Sequence, residues 1–221
     1  MKRKAAAGEG QEAQSCSLGE EIANAVTHGL GVALSIAALV LLVIFAGRTE
    51  DPFRMASGIA FGSSLVFLYL ASTLYHGLTS LKAKRAFRIF DHAGIYLLIA
   101  GSYTPFTLVT LRGPVGWTLF GIVWGLAATG IVTEVFWVDR PQWLSALVFI
   151  GMGWIIIFAA KPLAAALPQG GLRLLVAGGL AYTVGTIFYL LKSIPYMHAF
   201  WHLWVIGGSV CHVLAVLLYV L

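Results

Sequence analysis

Seven stretches of this chain are long, apolar and nearly free of charge, at about 24–46, 54–77, 90–111, 115–137, 142–160, 171–191 and 198–220. Each is long enough to cross roughly 30 Å of hydrocarbon as a helix. In such a medium backbone N–H and C=O groups find no water, so a spanning segment must satisfy them internally. The expected fold is all-α, a polytopic bundle of seven transmembrane helices. The connections are short, so residues 22–221 form one transmembrane domain with no room for a soluble one. Residues 1–21 are polar and small, contain no apolar run fit for a signal-peptide core, and are expected to form a disordered cytoplasmic tail.

Charge supports the same class. Only 10% of residues are charged against 59% apolar, and the net charge of +5 is spread over short connections. That pattern belongs to membrane topology, and nucleic-acid binding is excluded as the reason for it. Of the two cysteines, Cys16 falls in the tail and Cys211 in the last apolar run, so neither a disulfide framework nor a CxxC metal site is present. The side that holds the N-terminus carries Lys2, Arg3, Lys4, Lys82, Lys84, Arg85, Arg88, Arg140 and Lys192. The other carries Arg48, Arg54, Arg112, Lys161 and Arg173. The excess predicts a cytoplasmic N-terminus and a C-terminus outside.

Alternation of seven spans has a consequence that holds for either orientation. The end of the second, the start of the third and the start of the seventh meet at one face of the membrane. There the sequence places His76, Asp91, His198 and His202, with Ser72 one turn before His76. His198 and His202 are four residues apart, on one helical face with their Cβ atoms roughly 5–6 Å apart. Ionisable groups inside spans are unfavourable and usually functional. Three neutral imidazoles with an open fourth position suit a tetrahedral zinc ion of the catalytic kind, and Asp91 is placed to hold a water and take its proton. The alternative is that each histidine bonds a carbonyl of a neighbouring helix as interhelical glue. The residues between His198 and His202 are Ala199, Phe200 and Trp201, so the HExxH motif with its own glutamate base is absent.

The set Ser72-xxx-His76, Asp91, His198-xxx-His202 on seven spans resembles the progestin and adipoQ receptor family, in particular its bacterial haemolysin III branch. The stretch EEIANAVTHGLG, residues 20–31, resembles the start of that branch. The resemblance runs from about residue 20 to the C-terminus. It implies that His76, His198 and His202 bind zinc, that Asp91 is held to the metal through water, and that Ser72 completes the polar shell. It also implies kinship with membrane ceramidases and other lipid hydrolases. The expected activity is therefore metal-dependent hydrolysis of an acyl-lipid amide or ester in the bacterial plasma membrane, with a role in lipid homeostasis and a membrane lipid or fatty-acyl substrate. The alternative is a lipid sensor or receptor with a structural zinc and no turnover. The tail is shorter than that of the eukaryotic receptors, and the apolar spans do not suggest a secreted pore.

Other residues carry smaller expectations. His28 begins the first span at the same face and is read as an interfacial residue satisfied by water or a loop carbonyl, with gating or lining the entrance to the cluster as the alternative. His92 points about 100° away from Asp91 and is expected to contact a neighbouring helix. Glu134 is read as a helix-end residue near water. His212, ten residues beyond His202, lies about 15 Å deeper, beyond reach of the same metal. Pro105 is expected to kink the third span and open a cavity above Asp91, with Ser102 or Thr104 serving the freed carbonyl. Gly58-xxx-Gly62 and Gly121-xxx-Gly125 have the spacing of close helix packing, within the bundle or between two copies in a homodimer. Trp117, Trp137, Trp143 and Tyr196 fall near span ends, as interfacial belts do.

Overall fold

The structure is a computed structural model and describes residues 17–191 and 193–221. The expected tail up to Cys16, with Lys2, Arg3 and Lys4, and the loop residue Lys192 lie outside these residues. Seven helices are long and apolar enough to cross a membrane: α1 (Leu18–Ala46), α2 (Pro52–Gly77), α3 (Leu81–Thr110), α4 (Pro114–Phe136), α5 (Gln142–Ala166), α6 (Gln169–Leu190) and α7 (Met197–Tyr219). No strand occurs among the described residues. The chain is thus a multi-pass helical membrane protein. Chain neighbours α1–α2, α2–α3, α3–α4 and α6–α7 pack together, and α7 returns to pack against α1, so that the first and last helices lie side by side.

Residues 18–21 are helical, which corrects their assignment to the tail. The cause is a capping box: Glu20 N donates to Ser17 Oγ at 3.3 Å, and Ser17 N donates to the Glu20 carboxylate at 2.8 Å. Two orphan donors of the first turn are thereby satisfied, and α1 starts a turn and a half before its apolar run. The second Glu20 oxygen accepts from the Tyr196 backbone N–H at 3.1 Å, which ties the start of α1 to the start of α7. Tyr196 itself adopts φ 64°, a left-handed conformation unusual for a residue other than glycine.

Helix α3 also begins early, at Leu81, so Lys84, Arg88 and His92 form a slowly winding stripe at four-residue spacing. Each meets a carboxylate from a different part of the chain. Lys84 pairs with Glu21 of α1, Arg88 with Asp139 of the α4–α5 loop, and His92 with Glu134 of α4. At the other end, Pro105 ends the regular α-helix and the chain continues through a π-helical segment, Phe106–Thr110. Ser102 and Thr104 bond the carbonyls of Ile99 and Ala100. Neither serves the Gly101 carbonyl, the i−4 group that the proline ring frees. Helix α5 is interrupted as well: its first α-helical part ends at Gly153, and a 3-10 segment, Ile155–Ala159, follows.

The two glycine pairs differ in what they face. A Cβ on Gly62 would lie 2.5 Å from Leu39 Cδ1 and 2.8 Å from Leu39 Cα, and one on Gly58 would lie 3.1 Å from the Leu42 carbonyl oxygen. This pair is the seam between α2 and α1. Nothing lies within 4 Å of a Cβ on Gly121 or Gly125, which open outward from the bundle. Trp117, Trp137, Trp143 and Tyr196, near helix ends, are all exposed. In detergent, Gly62→Ala is expected to cost about 1–3 kcal/mol through overpacking against the α1 backbone. Gly121→Ala, with open space beside it, is expected to leave the melting temperature at or slightly above that of the parent.

Candidate metal centre

His76 ends α2, where the last turn of the helix turns the ring inward, and His198 and His202 occupy the first two turns of α7. One ligand atom from each of the three lies within 4.8 Å of the others. Their ring centroids are 5.1 Å (His76–His198), 5.3 Å (His76–His202) and 4.6 Å (His198–His202) apart. Tetrahedral coordination at Zn–N distances of ~2.0–2.1 Å requires nitrogens roughly 3.4 Å apart, so small side-chain rotations suffice to close the set around one ion.

The outer hydrogen bonds decide which nitrogen is available. His76 Nδ1 lies 2.8 Å from the Glu21 carboxylate. An ionised carboxylate only accepts, so Nδ1 carries the proton and Nε2 presents its lone pair. That Nε2 is buried and has no partner in the protein. Glu21 is balanced in turn by Lys84, whose Nζ lies 2.6 Å from its other oxygen. His202 is oriented in the same sense. Its Nδ1 lies 3.0 Å from Thr27 Oγ1 and 3.3 Å from the Asn24 carbonyl. The Thr27 hydroxyl already donates to the carbonyls of Ala23 and Asn24, so it accepts from His202 Nδ1–H. Two imidazoles are thus fixed with Nδ1 bonded outward and Nε2 left for a ligand, the arrangement that second-shell partners impose on metal-binding histidines. The residues present fit a metal ion.

Helix α1 therefore contributes more than its apolar run suggests. Glu21, Asn24, Thr27 and His28 all turn to the centre, and the recurrence at three- and four-residue intervals in EEIANAVTH was the signal for it. The expectation for His28 is corrected. It is 3% exposed rather than interfacial, its ring stacks on that of His202 at 3.4 Å between centroids, and neither ring nitrogen has a partner in the protein. The early start of α1 puts His28 nearly three turns into the helix, inside the bundle and against His202 of α7.

Asp91 is buried in α3 and lines the same cavity as His28, His198 and His202. Ser72 is fully buried one turn before His76; its hydroxyl faces the Asp91 carboxylate but makes no hydrogen bond of good geometry. His92 contacts Glu134 on the neighbouring α4, at 3.3 Å. Glu134 is not near water: it is 0% exposed and ion-paired with Arg140. Arg140 bends back into the bundle, where it also donates to Tyr96 Oη at 2.9 Å and Ser145 Oγ at 2.8 Å. The carboxylate and the guanidinium balance each other's charge inside the bundle, while Arg140 Nη1 has no partner in the protein. Arg140 is consequently no loop cation of the kind that sets topology.

The cavity extends from the histidines along α3, from Asp91 to Tyr103, and is closed on other sides by Phe149 and Trp154 of α5, Tyr182 and Thr186 of α6, and Val205 and His212 of α7. Its empty volume is about 960 Å³, its open mouth included. Its wall is mostly apolar, and its polar groups gather at the two ends.

Seven helices closing on a three-histidine centre at one end, with an apolar cavity behind it, define a membrane protein that carries its reactive groups inside the bundle. The chain belongs to the haemolysin III family, whose profile, described as haemolysin-III related, matches residues 16–213. It is 52% identical over 200 residues to a hemolysin-3 homolog of Bacillus subtilis (strain 168), covering 90% of this chain and 94% of the relative. It is 50% identical over 202 residues to hemolysin-3 of Bacillus cereus, covering 91% and 92%. A more distant likeness, 26% over 203 residues, covering 89% and 83%, is to the human monocyte to macrophage differentiation factor, of progestin and adipoQ receptor type.

Elemental mass spectrometry of detergent-purified protein is expected to find about one metal ion per chain, absent from both His76→Ala and His198→Ala. Glu21→Gln keeps a bond to His76 but loses the charge, and a 10–100-fold drop in metal affinity is expected, read by chelator competition.

Proposed function

We propose that this protein is a zinc-dependent hydrolase of acyl-lipid amide or ester bonds in the bacterial plasma membrane. The observation that carries the reading is the opening of a three-histidine centre, with a buried carboxylate beside it, onto a long apolar cavity. His76, His198 and His202 would hold the ion. A bound zinc supplies a Lewis acid that polarises a carbonyl and acidifies water. Asp91 takes the proton from the attacking water and passes it to the leaving group. Ser72, facing Asp91, orients that carboxylate or donates to the substrate. Glu21 and Thr27 keep the imidazoles in the ligating tautomer, and the apolar wall receives the acyl chain and excludes bulk water from the centre. The substrate enters sideways from the bilayer, the N-terminus lies in the cytoplasm and the C-terminus outside, and the activity serves membrane-lipid homeostasis.

The second reading, a lipid sensor with a structural ion, has an observation of its own: the ligands join α2 and α7, and Glu21 adds α1, so that an ion there ties three helices together. Asp91→Ala separates the two. In a hydrolase it is expected to leave metal content and melting temperature close to those of the parent while lowering turnover of ceramides or other acyl lipids by at least about 100-fold, the scale of a lost general base. Full turnover in Asp91→Ala, or none in metal-loaded wild type across an acyl-lipid panel, would rule the hydrolase out.

A further inference from the structure

His28 is a fourth imidazole beside the three of the centre, and hydrogen bonds do not hold it. It is buried on α1, and neither ring nitrogen has a partner in the protein, so the ring is not interhelical glue. Ring contacts fix it instead. It stacks on His202 with centroids 3.4 Å apart and planes within 16° of parallel. Tyr69 of α2 meets it nearly at right angles, with 84° between planes and 5.1 Å between centroids. The Tyr69 ring is itself braced. Its hydroxyl donates to Ser209 Oγ of α7 at 2.7 Å, and its ring fills the notch left by Gly31, where a Cβ would stand 2.5 Å from Cδ1. His28 is thus clamped between a fixed phenol and His202.

The stack argues against His28 as a further ligand to the same ion. An imidazole lone pair lies in the plane of its ring, and these two planes are nearly parallel and a stacking distance apart. An ion in the plane of His202 therefore lies outside that of His28. What the stack does is complete the hold on His202. Thr27 Oγ1 and the Asn24 carbonyl both bond one atom of that ring, Nδ1. Bonds to a single atom leave the ring able to swing about it, and Nε2, on the far side, swings most. A flat group against the face removes that freedom. The three contacts come from one turn of α1, from Asn24, Thr27 and His28, and a metal site tolerates errors of only ~0.5 Å or 10–20° in its ligands.

We propose that His28 is a positioning residue of the metal centre, whose flat face keeps His202 Nε2 aimed at the ion while its own nitrogens bond no metal. This rests on the three-histidine metal reading and deepens it, and it holds for the hydrolase and the sensor alike, since both need the ion. What position 28 must supply is a flat ring, and ring nitrogens are not required.

The test uses full-length protein in detergent, stripped of metal and reloaded with zinc or cobalt(II). Chelator competition gives the zinc affinity. Visible absorption of the cobalt form reports geometry, since four-coordinate cobalt absorbs far more strongly than six-coordinate. His28→Leu, which fills the space without a flat face, is expected to lose about 10–100-fold in zinc affinity, the scale of a lost outer-shell partner, and to shift or weaken the cobalt band. His28→Phe, a flat ring without nitrogens, is expected to keep the band and to bind zinc within about threefold of the parent. Melting of each metal-free form shows that the variant folds. Parental zinc affinity in His28→Leu, or loss of metal from a folded His28→Phe, overturns the positioning role and leaves the three-histidine centre standing. Should His28→Leu fail to fold, His28→Phe decides by the same criterion. Zinc X-ray absorption of the parent is expected to show three imidazoles, and four overturn the proposal whatever the variants do. A parent that binds neither ion removes the metal reading, and the role of His28 with it.

Discussion

A neutral imidazole has a donor and an acceptor, and the interior of a bundle in hydrocarbon supplies no water to either. Much of this structure follows from meeting that requirement for His76 and His202. Their protonated nitrogens go to Glu21, Thr27 and the Asn24 carbonyl, all on α1. That forces the first helix to begin early and to lie against both α2 and α7, which carry the rings. The acceptor nitrogens are then turned toward one another, where only a cation or a donor can satisfy them together. A metal ion could satisfy all of them at once.

The same logic organises the charges. Glu21 would be unfavourable beneath the surface by itself, and Lys84 of α3 meets it; Glu134 would be more so, and Arg140 and His92 meet it. Helix α3 supplies Lys84, Arg88 and His92 at successive turns, each against a carboxylate from another part of the chain, together with Asp91 on an adjoining face. It serves as the electrostatic spine on which the centre is mounted, while its later, apolar half lines the cavity. One helix therefore fixes both the buried carboxylate Asp91 and the direction in which the cavity runs.

The seven spans were legible because charge-free length is a direct physical requirement of crossing a membrane. The meeting of His76, Asp91, His198 and His202 at one face was legible because alternation alone sets depth. What was missed needed information that span lengths do not carry. Glu20 and Glu21 read as part of a polar tail, although the capping box Ser17-x-x-Glu20 was there to mark a helix start. Arg140 and Glu134 look like a loop cation and a helix-end acid until the chain turns the guanidinium back on the carboxylate. His28 reads as interfacial because its depth depends on where α1 begins, which its apolar run does not reveal. The interruption of α5 has a weak trace in the glycines at 151 and 153, but spacing cannot say whether such a pair packs or breaks.

The ligands are drawn from α2 and from α7, with Glu21 from α1 holding one of them in place. A ribosome delivers these in that order, and four helices are threaded into the bilayer between the first ligand and the second. During biogenesis the inserted intermediates contain the acidic and hydroxyl-bearing half of the centre without its last two rings. The three-histidine cluster therefore exists only in the completed chain, and loss of the seventh helix through truncation or frameshift would leave a membrane-inserted protein with one of its three rings, however sound its first six helices.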